Sequence, residues 1–215
     1  SFGVNIMLPF ESAANDVIVG DPKLINFRYF FTRKVMFMKE SHAYVLLPGG
    51  FGTMDESFEL LTLIQTGKTP PAPVVLLDPP GSTYWDHWYD FVTAELGEAG
   101  LIAADDMRLV KVAHTVEEAV QEVCAFYRSY HSMRFVGDQL VFRLTRRVDD
   151  DELASLSEEF APMIVAGGID RIDATRAEVR DDDHIELPRI RFEFDKHKWS
   201  MLRMLIDRLN EVAAD

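Results

Sequence analysis

The sequence predicts an α/β fold in which helices cover both faces of a parallel sheet, followed by a small C-terminal α+β extension. Two observations support this prediction. Up to about residue 130, short apolar runs bounded by glycine or proline alternate with segments of helical periodicity, which is typical of βαβ units. Beyond that point the alternation ends, and residues 190–194 alternate apolar and polar side chains as an antiparallel strand does. We therefore predict one domain over residues 1–130 and another over residues 131–215.

The composition suits one large folded domain, or one domain with an appendage. Of the 215 residues, 47% are apolar and 27% are charged, which is enough apolar surface for a core. The 22 basic and 36 acidic residues give a net charge of −14. Because such a chain repels polyanions, we expect it to bind neither nucleic acid nor an anionic membrane.

Several classes of protein are not expected from this sequence. No apolar run reaches the roughly 18–20 residues of a membrane-spanning helix, and residues 1–5 show no signal-peptide pattern. The single cysteine, Cys124, leaves no internal disulfide and no cysteine cluster for zinc. None of the six histidines forms a pair at i, i+4 spacing, so metal catalysis has no support. We expect a cytoplasmic protein without a metal or cofactor.

Four elements are predicted before residue 48: a strand at residues 4–8 ended by Pro9, a strand at residues 24–30 after a turn at residues 20–22, a helix at residues 31–40, and a strand at residues 43–47. Because residues 35–38 are apolar on every side, we expect the helix to be buried. The strand at residues 43–47 is a continuous apolar run, which predicts a fully buried strand of a parallel sheet.

The alternation continues after a glycine-rich turn at residues 48–53. We predict a helix at residues 54–65, a strand at residues 74–77, a helix at residues 84–96, a strand at residues 108–112, and a further helix. The apolar residues of that last helix recur every three or four positions, at Val116, Ala119, Val120, Val123, Cys124 and Tyr127. Because Cys124 lies on this stripe, we expect a packed thiol and not a reactive one.

The sequence of the C-terminal extension predicts an antiparallel sheet with two helices. Strands are expected at residues 139–144, 169–175 and 190–194, and helices at residues 152–160 and around Trp199, Leu202, Ile206 and Leu209. Two acidic runs, residues 149–152 and 181–183, carry part of the negative charge. We expect both runs to be solvated turns and not metal sites.

The turn from Pro48 to Thr53 is the strongest candidate for a ligand site. It holds Gly49, Gly50 and Gly52 between a predicted strand and the start of a helix. Glycines let the backbone approach a ligand, and the amides and dipole of a helix N-terminus attract an anion. The turn has neither the dinucleotide-binding spacing nor the lysine of a P-loop. Either it binds a phosphate, or it is a tight turn without a ligand.

Glu56 has a structural and a functional interpretation. Thr53 and Glu56 fit a capping box, in which Thr53 caps the helix and Glu56 reaches back to an amide. Glu56 also shares its helix face with Leu60 and Leu63, whereas Asp55 lies on the solvated face. A carboxylate that leans towards packed structure is costly unless something uses it. Both interpretations stay open from the residues alone.

Arg33 and Lys34 are the basic candidates. Arg33 lies early in the apolar helix and is followed on its face by Met36 and Phe37. A guanidinium in such surroundings needs an anionic partner, either a structural carboxylate or a ligand. Lys34 reaches water more easily and is the weaker candidate.

Residues 48–56 match the PGGxGTxxE motif, and the sequence resembles the Lonely Guy family, often mislabelled as lysine decarboxylases. Residues 32–34 stand where the family has its Arg-Lys pair, and residues 5–9 resemble a family strand. The resemblance covers about residues 1–130. Family members have further strands and another glycine-rich segment before the part that matches Ser1, so the resemblance implies that the sequence is a fragment or that preceding residues are not included.

The resemblance implies a Rossmann-like nucleotide-binding domain in a homodimer that hydrolyses nucleoside 5′-monophosphates to free base and ribose 5-phosphate. It implies Arg33 and Glu56 as catalytic residues. It implies that the phosphate is bound by a set of four residues, Gly49, Gly50, Gly52 and Thr53. Glu56 would stabilise an oxocarbenium-like transition state or orient water, while Arg33 would fix the nucleotide.

Two other functions remain possible at this point. The turn would also suit a protein that binds a nucleotide or a phosphorylated cofactor without cleaving it, as molybdenum-cofactor carriers with a similar loop do. Decarboxylation of lysine would require pyridoxal phosphate, whose visible absorbance is easily tested.

Overall fold

The structure is a computed structural model that describes residues 2–8 and 14–212, with the side chain of residue 212 left out. These residues form two compact units, one up to His42 and one from Ala43 onwards. Each unit is described by itself. Pro9, predicted to end the first strand, lies outside the described residues.

The first unit contains two parallel strands and one helix. Strand β1 (Gly3–Ile6) pairs with β2 (Leu24–Phe27) in parallel, and the side-chain amide of Asn5 donates a 3.0 Å hydrogen bond to the Asn26 side chain. Helix α1 spans Phe30–Glu40. The three predicted elements are therefore confirmed, with ends that shift by at most three residues.

The predicted burial of α1 is wrong. None of its eleven residues is buried, and Val35 is 60% exposed. Within the first unit the helix contacts β1 and β2. A two-stranded sheet is too small to enclose a helix that is apolar on every side, so part of the apolar surface stays open.

The second unit begins with a parallel sheet in the order β3-β4-β5. Its strands are β3 (Tyr44–Leu46), β4 (Val74–Leu77) and β5 (Val110–Ala113). The helices that follow them are α2 (Phe51–Gln65), α3 (Tyr84–Phe91) and α4 (Val116–Phe126). In the central strand, Val74, Val75 and Leu76 are completely buried. This confirms the α/β fold with a parallel sheet.

Strand β3 differs from its predicted burial. In the part of the chain that the structure describes, β3 pairs with β4 alone, so it is an outer strand of the sheet β3-β4-β5. Val45 points to one face of β3 and is 49% exposed, whereas Tyr44 and Leu46 on the other face are half-buried, although the sequence predicts a fully buried strand. An apolar run identifies a strand but does not show whether neighbours cover both of its sides.

Two other boundaries in the parallel part differ from prediction. The helix predicted at residues 84–96 is regular only to Phe91 and continues as a wider π-helical turn over Val92–Gly97. Strand β5 begins at Val110, because Ala104–Leu109 forms a 3₁₀ helix. Helix α2 ends at Gln65, as predicted from the sequence, and Gly67 follows in the turn after it. Gly67 has a positive φ of 68°, and an added side chain there would overlap the ring of Trp199.

The C-terminal part forms a four-stranded antiparallel sheet in the order β6-β7-β9-β8, as the α+β prediction requires. Its strands are β6 (Tyr130–Val136), β7 (Gln139–Leu144), β8 (Asp170–Ile172) and β9 (Arg189–Glu193). Its helices are α5 (Asp150–Glu159), α6 (Arg176–Asp181) and α7 (Trp199–Val212). Strand β6 and helix α6 were not predicted.

This antiparallel part has an extensive apolar core. Leu140, Phe142, Leu202, Leu205 and Ile206 are each completely buried where β7 and α7 pack together. The change from a parallel to an antiparallel sheet falls near residue 130. The division into residues 1–130 and 131–215 remains our proposal for the domain boundary.

The acidic run at residues 181–183 is not simply a solvated turn. Asp181 and Asp183 both accept from Arg134, and Asp183 also pairs with Arg143. Behind them, the fully buried Glu178 accepts from Arg143 and Arg189 at 2.9 and 3.2 Å. These contacts form an ion-pair network between α6 and the sheet.

The acidic run at residues 149–152 also has a structural role. The Asp149 carboxylate caps α5 by accepting from the amide of Glu152 at 2.8 Å, and Glu152 pairs with Arg146. Asp149, Asp150 and Asp151 are solvent-exposed as predicted, but the run starts a helix and is not a turn. Neither run forms a metal-binding cluster among the described residues.

Cys124 is exposed, so the prediction of a packed thiol is wrong. Helix α4 buries Ala119 and Phe126, which lie seven residues apart on one face. Val120, predicted on the buried stripe with Cys124, is 55% exposed. Among the described residues, no helix is both long and apolar enough to span a membrane.

Candidate functional site

The glycine-rich turn lies where β3 ends and α2 begins. Strands β3, β4 and β5 are parallel neighbours, so their carboxyl ends lie along one edge of the sheet. In open α/β sheets this edge is the usual location of a ligand site. Pro48, Gly49 and Gly50 connect β3 to α2 at this edge, and both glycines are exposed.

Helix α2 begins earlier than the sequence predicts, and the capping box is wrong. Its N-cap is Gly50, and Thr53 is already the third helical residue. The first backbone bond of the helix runs from Met54 N–H to Gly50 O at 3.2 Å. Thr53 therefore cannot cap the helix, and Glu56 lies in the second turn, out of place for reaching back to an N-cap amide.

This start leaves the helix N-terminus open to an anion. No side chain caps α2 in the described structure, and its first turn carries no acidic residue. The amides of Phe51, Gly52 and Thr53 precede the first backbone bond of the helix, so they have no acceptor within it. Together with the helix dipole of a 15-residue helix, they form a site that favours a negatively charged group.

The three glycines of the turn have different surroundings. A methyl group at Gly49 would overlap the hydroxyl of Thr53, so packing within the protein requires this glycine. At Gly50 and Gly52 a methyl group would meet no atom of residues 2–8 and 14–212 within 4 Å. Gly50 has an ordinary φ of −91°, and neither residue has a positive φ. Neither packing nor backbone conformation explains glycine at 50 and 52, whereas close approach of a ligand does.

The first two turns of α2 also place the carboxylate candidate. Asp55 is exposed and Glu56 is half-buried, while Leu60 on the Glu56 side is buried. This confirms that Asp55 faces solvent and that Glu56 leans towards packed structure. The buried Ser57 hydroxyl donates to the Thr53 carbonyl at 2.6 Å, which ties these two turns of the helix together.

Arg33 and Lys34 lie in α1 of the first unit, and both are half-buried. The Arg33 guanidinium carbon lies 5.8 Å from the ring centre of Phe30 and 5.7 Å from that of Phe37. These two aromatic residues lie three before and four after Arg33 on the helix, so they hold the guanidinium along one face. The structure brings Gly49, Gly50, Gly52, Thr53 and Glu56 together on one turn and helix. Arg33 and Lys34 belong to the first unit, which is described by itself.

One polar contact of the turn was missed in the sequence. The Tyr84 hydroxyl, at the start of α3, donates a 2.7 Å hydrogen bond to the Gly49 carbonyl. The two residues are 35 positions apart. The sequence shows only that a tyrosine begins a helix after the next strand, and this gives no sign of the contact.

A second cluster of polar side chains lies where the strands of the same sheet end. Asp78 follows β4 and His114 follows β5, and with Asp86 of α3 they place one ligand atom each within 4.8 Å of one another. Both oxygens of Asp78 already accept hydrogen bonds, from the Ser82 hydroxyl at 2.7 Å and the Trp85 amide at 3.0 Å. These bonds give Asp78 a structural role in the loop before α3.

A cleft of about 900 Å³ lies elsewhere in the second unit. It is lined by residues of α3, the 3₁₀ helix Ala104–Leu109, β5, α4 and α7, including Lys111, Glu122 and Arg203. No residue of the glycine-rich turn lines it, so it is separate from the candidate site.

Comparisons with known proteins match the part of the chain that carries the turn. The family model described as "Possible lysine decarboxylase" matches residues 2–123, which is more than half of the chain. A probable cytokinin riboside 5′-monophosphate phosphoribohydrolase of Oryza sativa subsp. japonica is 31% identical over 115 residues, which cover 54% of this chain and 49% of the relative.

Other relatives give the same picture. A cytokinin riboside 5′-monophosphate phosphoribohydrolase of Oryza sativa subsp. japonica is 32% identical over 108 residues, or 50% of this chain and 43% of the relative. One of Mycobacterium tuberculosis (strain ATCC 25618 / H37Rv) is 31% identical over 115 residues, or 52% of this chain and 54% of the relative. The chain spans about half the length of these relatives. With a family model that covers more than half of its residues, the chain belongs to the possible lysine decarboxylase family, which is the Lonely Guy family.

Proposed function

We propose that the protein hydrolyses the N-glycosidic bond of nucleoside 5′-monophosphates and releases a free base and ribose 5-phosphate. The observation that carries this proposal is the uncapped start of α2, where Gly50 and Gly52 face open space beside amides without a helical acceptor. The relatives above are named as enzymes of this kind, acting on cytokinin riboside 5′-monophosphates.

The 5′-phosphate would bind at the start of α2. A phosphate oxygen accepts strong hydrogen bonds from backbone amides, and the helix dipole adds about half a positive charge. Open space above Gly50 and Gly52 lets the phosphate approach the backbone more closely than it could beside a side chain. Thr53, the third residue of the helix, adds a hydroxyl to the same group of donors.

Glu56 would act on the reaction centre. Hydrolysis breaks the bond between C1′ of the ribose and the base nitrogen, and water adds at C1′ while the base leaves with a proton. The transition state resembles an oxocarbenium ion, so a carboxylate next to the ribose lowers its energy or orients the water. The half-buried position of Glu56, one turn after the phosphate site, supports this role.

Arg33 would fix the nucleotide as the other catalytic residue, with Lys34 in a weaker binding role. The cation–π contacts with Phe30 and Phe37 hold the guanidinium in one orientation, which favours binding of an anionic or polar ligand group. The proposal further includes a homodimer, a cytoplasmic location, and no binding to nucleic acid or membranes.

Incubation of the full-length protein with AMP tests this proposal, with adenine and ribose 5-phosphate measured by chromatography. We expect both products in equal amounts. A Glu56→Gln variant should lose roughly a hundredfold or more of the turnover, as expected for a group that acts on the transition state. Its melting temperature should stay near that of the wild type, because Gly50 and not Thr53 is the N-cap.

Asp55→Asn is the matched control, since Asp55 is the exposed neighbour of Glu56. It removes one negative charge from the same turn of α2 and should keep nearly full activity. If wild-type protein binds AMP but releases no adenine, the protein is a nucleotide-binding protein and the hydrolase proposal is wrong.

A further inference from the structure

The carbonyl of Gly49 is held by a side chain from a different helix. Tyr84 is the first residue of α3, and its hydroxyl donates to Gly49 O at 2.7 Å. The Thr53 side chain of α2 also lies against Gly49 and leaves no room for an added methyl group. Two side chains, from two helices, therefore fix the residue that precedes the N-cap of α2.

Fixing this carbonyl also fixes an amide. The described structure contains no cis peptide bond, and in a trans peptide the carbonyl of one residue and the N–H of the next point in opposite directions. Because the Gly49 carbonyl points to Tyr84, the Gly50 N–H points away from Tyr84. Gly50 is also the residue above which space is open.

Tyr84 itself has a rigid support. Its ring packs edge-to-face on that of Trp85, with centroids 4.9 Å apart, and Trp85 is fully buried. Its backbone amide donates to the Ser82 hydroxyl at 3.2 Å, and the same hydroxyl donates to the buried Asp78. The phenol therefore reaches Gly49 from a well-anchored helix start, and a flexible side chain would not hold the carbonyl as firmly.

We infer that Tyr84 is a positioning residue for the anion site: its hydrogen bond to Gly49 orients the 49–50 peptide so that the Gly50 N–H faces a bound phosphate. This inference rests on the proposed function, and it assigns a role in phosphate affinity to a residue outside the PGGxGTxxE motif. Tyr84 does not touch the reacting atoms. Its loss should therefore weaken phosphate binding and leave the chemical step largely unchanged.

The test is Tyr84→Phe in the full-length protein, which removes the hydroxyl and keeps the ring on Trp85. We expect KM for AMP to rise by roughly three- to tenfold, the effect of one lost hydrogen bond, with kcat within about twofold of wild type. The inhibition constant of inorganic phosphate should rise by the same factor. A merely structural role would lower the melting temperature without this paired shift.

Tyr89→Phe is the matched control, because Tyr89 lies on the same helix and is also half-buried. It should leave KM and the phosphate inhibition constant at their wild-type values. If Tyr84→Phe has wild-type KM and wild-type phosphate inhibition, the inference is wrong, whatever happens to its melting temperature. If the wild-type protein neither binds nor cleaves AMP, the proposed function is wrong. This result needs no variant, so it is distinguished from a failure of the Tyr84 inference.

Discussion

The side chain of Thr53 lies so close to Gly49 that a methyl group at Gly49 would overlap the threonine hydroxyl. Gly50, the next residue, has open space above it and an ordinary φ of −91°. The two adjacent glycines thus have different surroundings. Packing within the protein requires Gly49, and we propose that Gly50 leaves room for the approach of a ligand.

Alanine at each position should separate these two reasons. Gly49→Ala forces Thr53 or the turn to move and should lower the free energy of unfolding by about 1–3 kcal/mol, as overpacking does. Gly50→Ala meets no atom of the described residues, so its effect on stability should be limited to the poorer N-cap, about 0.5–1 kcal/mol. It should nevertheless weaken AMP binding by roughly ten- to a hundredfold, because the methyl group occupies the space of the phosphate.

Urea unfolding and titration calorimetry with AMP measure the two effects on the same preparations. The assignment of Gly50 to ligand approach is contradicted if Gly50→Ala binds AMP as tightly as the wild type. The packing explanation for Gly49 fails if Gly49→Ala is as stable as the wild type.

Cys124 should react readily in the folded protein. Because its side chain is exposed on α4, a thiol reagent does not need local unfolding to reach it. We expect the reagent to modify Cys124 in native buffer at a rate similar to that in denaturant. Peptide mapping identifies the modified residue, and the melting temperature of the modified protein should equal that of the unmodified protein. Protection of Cys124 until the protein unfolds would show that the apolar stripe predicted from the sequence is the buried one.

The ion-pair network around Glu178 should make stability depend on pH. Burial alone would raise the pKa of this carboxyl, but hydrogen bonds from Thr175, Arg189 and Arg143 outweigh it and hold the pKa below its ordinary value. A carboxyl with a lowered folded pKa stabilises the fold above its unfolded pKa of about 4.3, and this stabilisation is lost as the pH falls through the folded pKa.

Glu178→Gln should therefore cost roughly 3–5 kcal/mol at pH 7, because the buried Arg189 loses the carboxylate with which it pairs and Arg143 loses one of its two, the other being Asp183. The difference from wild type should begin to shrink below the unfolded pKa of about 4.3 and should be smallest below the lowered folded pKa, where the carboxyl is protonated in the folded protein too. Denaturant unfolding of both proteins at pH 7 and at acidic pH measures this change. A difference that stays constant across that range would mean that the charge of Glu178 does not stabilise the fold.

The sequence predicts the order of elements well, because glycine and proline mark their ends and apolar runs mark the strands. It predicts burial less well. In α4, residues spaced by three and four define two overlapping faces, one through Ala119 and Phe126 and one through Val120 and Cys124. Periodicity alone does not choose between them, and tertiary contacts bury the first.

The start of α2 shows a second limit. Glycine has a poor helix propensity, so Gly52 and its neighbours predict a loop up to Thr53, whereas the helix starts at Phe51. This shift replaces the predicted capping box by an uncapped N-terminus, which is the feature that supports an anion site. The contact of Tyr84 with Gly49 depends on how α3 is placed beside the turn, so no sequence pattern shows it.

The central claim is that the start of α2 holds the phosphate of the substrate, and parallel assays with AMP and adenosine test it most directly. The two substrates share base and ribose and differ only in the 5′-phosphate. We expect the full-length protein to release adenine from AMP with a kcat/KM that exceeds the value for adenosine by roughly a hundredfold or more, since several charged hydrogen bonds depend on that phosphate. Equal kcat/KM values for AMP and adenosine would contradict the account.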